Sequence, residues 1–269
     1  MSSSLGDFVN QVEYRWKEVD LLVQGAESFE SDDPEMHNVM CRAATVLIVA
    51  HLEGFTKDLV KNIIRDLNND STFKNLSVAI KHTYASPFIK NKDGYVWPEK
   101  LMDLVKKFEA LNCDISHECF LQVDETNKNG NPGIGRLTRI FTSFGVKNVF
   151  HHLKGSQLDD AFSGTYSEVT QLTDLLKQDV TLGSQNFPYQ FDLNKFMLEK
   201  KELEKGATMW ETFINDINKK RNDIAHGNQL DNVDGAQILR GQKSKVLLLQ
   251  YGLIGILMNH FSNITCTTN

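Results

Sequence analysis

The feature that most constrains this chain is an uninterrupted helical pattern from Pro34 to Leu67. Met40, Ala44, Leu47, His51, Phe55, Leu59 and Ile63 recur at three- and four-residue spacing, and a second stripe runs Val46, Ala50, Glu53, Lys57, Val60 and Ile64. One apolar stripe lays a helix on a core; apolar residues on two stripes make a helix that neighbours cover on more than one side. Asp33 before Pro34 marks its start, a capping carboxylate followed by proline in the first turn. His51 and Glu53 then stand among apolar neighbours, where a polar side chain needs a partner.

Other segments supply the cover. Leu5, Phe8, Val12, Trp16, Val19 and Val23 predict one helix from Leu5 to Val23. Ile134 to Phe144 carries Leu137, Ile140, Phe141 and Phe144 on one side with Arg136 and Arg139 beside them, and Gly145 is placed to end it. Leu101 to Ala110 and Ser167 to Lys177 are shorter candidates. From near Thr208, an apolar face of Trp210, Phe213, Ile214, Ile217 and Ile224 runs to Gly227, which would stop it in a left-handed turn. Ser244 to Phe261 is apolar nearly all round, as in a helix buried within the subunit or against a second one. No alternating strand pattern or internal repeat stands out. The reading is all-α: one domain over residues 1–269, with core helices in 5–67, 131–145 and 206–262. Residues 68–130 read as a variable, partly irregular insertion with turn chemistry at Asn91 to Gly94 and Asn127 to Pro132.

Composition excludes some classes. A hydrophobic share of 41% and a charged share of 24% are ordinary for a soluble globular chain. The net charge of -6 is concentrated at the start: residues 1–36 hold nine acids and two bases, a net of -7, so the remainder carries +1. Residues 219–245 hold six bases and three acids, too mild an excess to identify a nucleic-acid binder unaided. Cys41, Cys113, Cys119 and Cys266 lack zinc-ribbon spacing and read as reduced thiols of a cytoplasmic protein. The start shows no signal-peptide pattern, and Val246 to Met258 is too short to span a bilayer, so no membrane is expected. The Asn-x-Ser/Thr triplets at Asn69, Asn75 and Asn263 mean little without a secretory route.

Arg221-Asn222-Asp223-Ile224-Ala225-His226-Gly227 carries the most chemistry. Arg221 falls on the apolar face, four after Ile217 and three before Ile224, so its guanidinium needs either a buried carboxylate or a phosphate entering a cleft. Asn222 and His226, four apart, share a face. On a regular helix Arg221 and His226 diverge by roughly 140 degrees, so the motif works best where the helix frays or where two subunits face each other. Metal-free RNA cleavage needs a proton taken from a ribose 2′-hydroxyl, a proton given to the leaving oxygen, and charge stabilised on phosphate. Histidine titrates in the range for both proton roles, arginine keeps its charge and matches phosphate oxygens, and asparagine orients. Lys219, Lys220, Arg136 and Arg139 are candidates to extend an RNA track. The bland alternative is a helix end with a capping histidine and a buried Arg–carboxylate pair.

At these residues the chain resembles the HEPN superfamily, especially its RiboL-PSP-like branch, whose signature is Arg-x4-His at a helix end. Ala50-His51-Leu52-Glu53-Gly54-Phe55-Thr56-Lys57 is similar to that branch's Glu-Gly-Phe segment, and Asn131 to Gly145 to its following helix, ending in Phe-Gly. The resemblance implies a HEPN-like helical bundle that dimerises so that two motifs line one cleft. It implies a metal-independent endoribonuclease used as a toxin or in anti-phage defence, restrained by an antitoxin or regulatory partner. Arg221 would clamp phosphate, Asn222 is the polar residue after it, and His226 would be the general acid/base. Glu53 would be a supporting carboxylate paired with Arg221, or simply an i,i+4 partner of Lys57. Unpaired RNA, tRNA included, is the expected substrate, since its 2′-hydroxyl is free to align. The rival reading is a non-catalytic scaffold binding a nucleotide or a protein. The acidic N-terminal helix would cover the cleft or bind a basic partner.

No metal or other cofactor is expected. His151-His152 and the Cys113, His117, Cys119 group lack ligand spacing. Glu199-Lys200-Lys201 reads as a solvated charged helix, not half of a metal-dependent nuclease motif, and Gly133-Ile134-Gly135 lacks the rest of a phosphate loop.

Overall fold

The computed structural model describes residues 2–91, 94–122, 133–198, 206–227 and 234–266. Its long helix α3 spans Pro34–Asp70 and is capped by Asp33, whose side chain accepts from the Met36 N–H at 3.0 Å. By length and composition α3 could cross a membrane; here other helices take up its apolar sides. It packs directly against α1 (Ser4–Val9), α2 (Trp16–Phe29), α9 (Met209–Ala225) and α10 (Ala236–Cys266). Ala44, Ile48, Leu52, Phe55, Leu59 and Ile63 are all buried. The architecture is all-α, and no strand occurs among the described residues.

The single helix expected from Leu5 to Val23 is two, α1 and α2, joined by a 3₁₀ turn at Val12–Arg15. Its periodicity survives the break, since Leu5, Phe8, Val12, Trp16, Val19 and Val23 are all buried. α1 is anchored from far along the chain. The carboxylate of buried Asp66 accepts from the amides of Ser4 (2.6 Å) and Leu5 (3.0 Å) and from the Tyr189 hydroxyl (2.8 Å). A six-residue helix is too short to hold itself; this cap satisfies its first amides and fixes it independently of α2.

Residues 68–130 were expected to be partly irregular, yet the described part is largely helical: a 3₁₀ turn at Phe73–Asn75, then α4 (Val78–Ala85), α5 (Pro98–Leu111) and α6 (Glu118–Leu121). An aromatic cluster explains this order. Phe73, Tyr84, Phe88 and Phe108 meet at ring separations of 5.2–5.8 Å. Phe120 stacks on Phe144 of α7 (Ile134–Phe144) at 5.0 Å, and Asn68 exchanges two 3.0 Å hydrogen bonds with the backbone of Ile115. The insertion is thereby joined to the core. The expected turn around Asn127 to Pro132 lies outside the described residues.

α10 begins earlier than Ser244 and runs over 31 residues. Its apolar stretch contains Gln250, whose side chain accepts from the Trp16 indole at 3.0 Å, so two buried polar groups satisfy each other. α8 (Tyr166–Gly183) starts on a capping box between Thr165 and Glu168 and packs along α10. The acidic N-terminal segment finds its bases within the chain. Glu27 pairs with Arg240 (2.6 Å), Asp20 with Lys243, and Glu13 with Lys177 (2.7 Å). Both α2 pairs run to α10, so α2 is attached along that helix.

Candidate active site

α9 is set up by a second capping box. The Thr208 side chain accepts from the Glu211 N–H at 3.1 Å, and the Glu211 carboxylate accepts from the Thr208 N–H at 2.6 Å. Trp210, Ile214, Ile217 and Asn218 are its buried residues. Arg221 continues that stripe, four after Ile217, and is half-buried as the spacing requires.

The helix stops at the motif. Ala225 is its last residue, His226 is the C-cap at φ -92° and ψ 2°, and Gly227 turns away at φ +69°, a left-handed conformation that glycine adopts without strain. Yet the last turn is intact: the His226 N–H donates to the Asn222 carbonyl at 2.9 Å. The backbone therefore does not fray before His226, and the angular divergence from Arg221 persists at the Cα atoms. The arginine side chain bends toward Asn222. Its Nη1 donates to Asn222 Oδ1 at 3.0 Å, so the guanidinium reaches round to the face that Asn222 shares with His226. His226 is exposed at the C-terminal end of the helix. A guanidinium, an amide and an imidazole thus occupy neighbouring positions at one helix end.

The other expected site residues are placed differently. Glu53 accepts from Lys57 at 2.8 Å, the i,i+4 reading, and stands 3.6 Å from Arg136 Nη1. This carboxylate ties α3 to α7, and α9 packs on both. Arg136 is not a surface arginine: its side chain is 15% exposed and faces that carboxylate. Arg139 is half-buried on the same helix. Gly54 has its own reason to be small, since Arg15 crosses over it to reach Asp58; a Cβ there would meet Arg15 Nη1 at 3.0 Å. Lys220 binds Asp234 at 2.6 Å, and Gln242 donates to the same oxygen at 2.9 Å. That clamp joins the end of α9 to the start of α10. Lys219 is exposed.

Two residues that frame this region escaped sequence reasoning. Asp234 is buried although it lies in a loop rich in Asp, Asn and Gly, and nothing local signals its role. His260, inside the apolar helix α10, donates to the Phe144 carbonyl at 3.0 Å and so caps the end of α7; burial pushes its pKa below the ordinary histidine value. His51 is also held low by burial, with Glu18 4.0 Å away opposing the shift and Arg15 adding to it. Its ring packs edge-on against Trp16 at 5.3 Å, which places it in the core and not at the motif. His151 and His152 are exposed, and no group of three His, Cys, Asp or Glu with metal-site geometry occurs among the described residues. Glu199-Lys200-Lys201 lies outside them.

The model of one protein family, RiboL-PSP-HEPN, matches residues 10–258, a span that includes α3, α7 and the whole Arg221 to Gly227 motif. No curated protein and no solved structure matches the chain.

Proposed function

The chain belongs to the RiboL-PSP-HEPN family, and from that premise we propose that it is a metal-independent endoribonuclease whose centre is Arg221, Asn222 and His226. The observation that supports this reading is the Arg221–Asn222 hydrogen bond at 3.0 Å, which brings a guanidinium to the histidine-bearing face of an exposed helix end. In the reaction, the ribose 2′-oxygen attacks the adjacent phosphorus and loses its proton to a base. The bond to the 5′-oxygen breaks, and that oxygen takes a proton from an acid, leaving a 2′,3′-cyclic phosphate and a 5′-hydroxyl. Arg221 stabilises the charge on the phosphoryl oxygens, Asn222 holds the guanidinium or substrate in register, and His226 carries the proton.

One motif has one imidazole, while the reaction needs a base and an acid at once. Two copies facing each other across a dimer supply both, one neutral and one protonated. We place the Glu53–Arg136 pair outside the chemistry, as a brace beneath the motif helix. The biological setting proposed is growth arrest, as a toxin or in defence against phage, in the cytoplasm, with a partner protein restraining the activity.

The test is incubation of purified protein with total RNA in EDTA, followed by mapping of the cut ends. Cyclic-phosphate and 5′-hydroxyl ends, lost in His226→Ala, are the expected result. A strict magnesium requirement would overturn the mechanism. A second reading, a non-catalytic scaffold, draws on the half-burial of Arg221 and its bond to Asn222. It expects no cleavage, and unfolding in Arg221→Ala.

A further inference from the structure

Among the described residues the aromatic rings left exposed are Tyr14, Phe88, Tyr95, Trp97 and Tyr166. Three of these five fall between residues 88 and 97, on the insertion. Tyr95 is 56% and Trp97 38% exposed, and their rings meet edge to face at 5.5 Å. Neither is carried on a loose loop. The Tyr95 N–H donates to Asn91 Oδ1 at 2.7 Å, the Asn91 N–H donates back to the Tyr95 carbonyl at 3.1 Å, and Gly94 closes the turn on Asn91 at 3.0 Å. Trp97 is the N-cap of α5, with Pro98 in its first turn and its carbonyl accepting from Leu101 at 3.0 Å. Lys100 lies 4.2 Å from the centre of the indole ring.

We propose that the Tyr95–Trp97 edge is a stacking platform for unpaired bases of an RNA substrate; this rests on the ribonuclease reading above. Exposed rings held in place by backbone hydrogen bonds need little ordering on binding, and every base offers a face to stack on one. Lys100 sits over one face of the indole; a base that takes that face displaces the ammonium towards its own phosphate. Glu99 and Asp103 on the same helix offset part of that charge, so the rings do most of the holding and affinity falls only shallowly with salt. The neighbouring lysine and the aromatic rather than aliphatic composition of the edge favour RNA over a protein partner here.

The chain provides its own reporter. Of its three tryptophans, Trp16 and Trp210 are 2% and 0% exposed, so only Trp97 is open to quenching by a stacked base. The experiment uses full-length His226→Ala, which leaves RNA intact. Short unstructured single strands and matched duplexes are titrated, with tryptophan emission locating the contact and anisotropy of a labelled strand giving affinity. Expected are quenching by single strands but not duplexes, affinity weakened about 5- to 100-fold in Tyr95→Ala or Trp97→Ala, and near-parental affinity in Tyr95→Phe and Trp97→Phe. Unchanged affinity in both alanine variants, equal quenching by duplex, or a response to a protein partner but not to RNA overturns the platform. The two readings fail separately. A wild-type chain that cleaves while the alanine variants bind normally removes only the platform; one that stacks RNA on Trp97 without ever cleaving it removes only the nuclease.

Discussion

Lys220 decides between two uses of a base beside the motif. Its ammonium lies 2.6 Å from Asp234, with the lysine side chain 38% and the aspartate 7% exposed. Lys220→Met keeps the stem and removes the charge. The buried carboxylate retains Gln242 at 2.9 Å but loses its charge-assisted bond. Such a bond contributes roughly 1.5–3 kcal/mol when shielded, and partial exposure of the lysine lowers this to about 1–2 kcal/mol. At about 2–4 °C per kcal/mol for a chain of this size, Tm should fall by about 2–8 °C. A lysine on phosphate would behave otherwise, leaving Tm alone and lowering the salt slope of RNA binding by about one. The assays are thermal melting by circular dichroism and oligonucleotide binding across a salt series, both on the His226→Ala background. Lys219, exposed and without an ion pair among the described residues, is the internal comparison: Lys219→Met should leave Tm in place and reduce the slope. An unchanged Tm with a slope reduced by about one in Lys220→Met would refute the clamp and restore Lys220 to the RNA track.

His226→Ala should cost at most about 0.5 kcal/mol, because the imidazole is exposed and makes no hydrogen bond among the described residues, while cleavage of total RNA falls about 10²- to 10⁴-fold. Tyr189→Phe removes one donor from buried Asp66 and should destabilise by about 1.5–3 kcal/mol, read as a lower denaturant midpoint with an unchanged slope. His51 and His260 are both held below the ordinary value of 6.5 by burial, so the unfolded chain binds their protons more readily. Their stabilisation is complete above 6.5 and is lost as pH falls through the folded values. Melting at pH 5 should therefore lie below that at pH 7.5, with the difference reduced in His51→Phe. Specific activity should fall on dilution through the dimer dissociation range; constant activity in a demonstrated monomer would contradict the shared cleft.

Local patterning revealed the helices and hid what fastens them. α7 ends at Phe144–Gly145 as its stripe and glycine require, and the motif helix ends at Ala225, just before Gly227, for the same reason. These are short-range effects, readable from spacing. The anchoring of α1 is not, because Asp66 caps a helix some sixty residues earlier. The order in 68–121 was hidden similarly: Phe73, Tyr84, Phe88 and Phe108 show no single helical period, since they come from four short elements that meet only in space. At the site, the Arg-x4-His spacing was visible, but the direction of Arg221 was not. Spacing fixes Cα angles, while the arginine side chain reaches sideways to Asn222.

The charge balance has the same lesson. A net of -6 sits awkwardly with an RNA substrate if charges act as a sum. In the fold, the acids Asp20 and Glu27 of α2 face Lys243 and Arg240 of α10, and Lys220 faces Asp234. Paired charges a few ångströms apart cast little field beyond a Debye length of about 8 Å. Three of the six bases in 219–245 are thus neutralised, Lys245 lies 5.3 Å over the Phe162 ring, and Lys219 is exposed with no ion pair among the described residues. The field at this helix end is therefore set by the groups that lie there, exposed Lys219 among them, and hardly at all by the distant acids of α2. Substituting those α2 acids should change stability through the lost pairs with α10, and change cleavage only as far as α10 itself shifts.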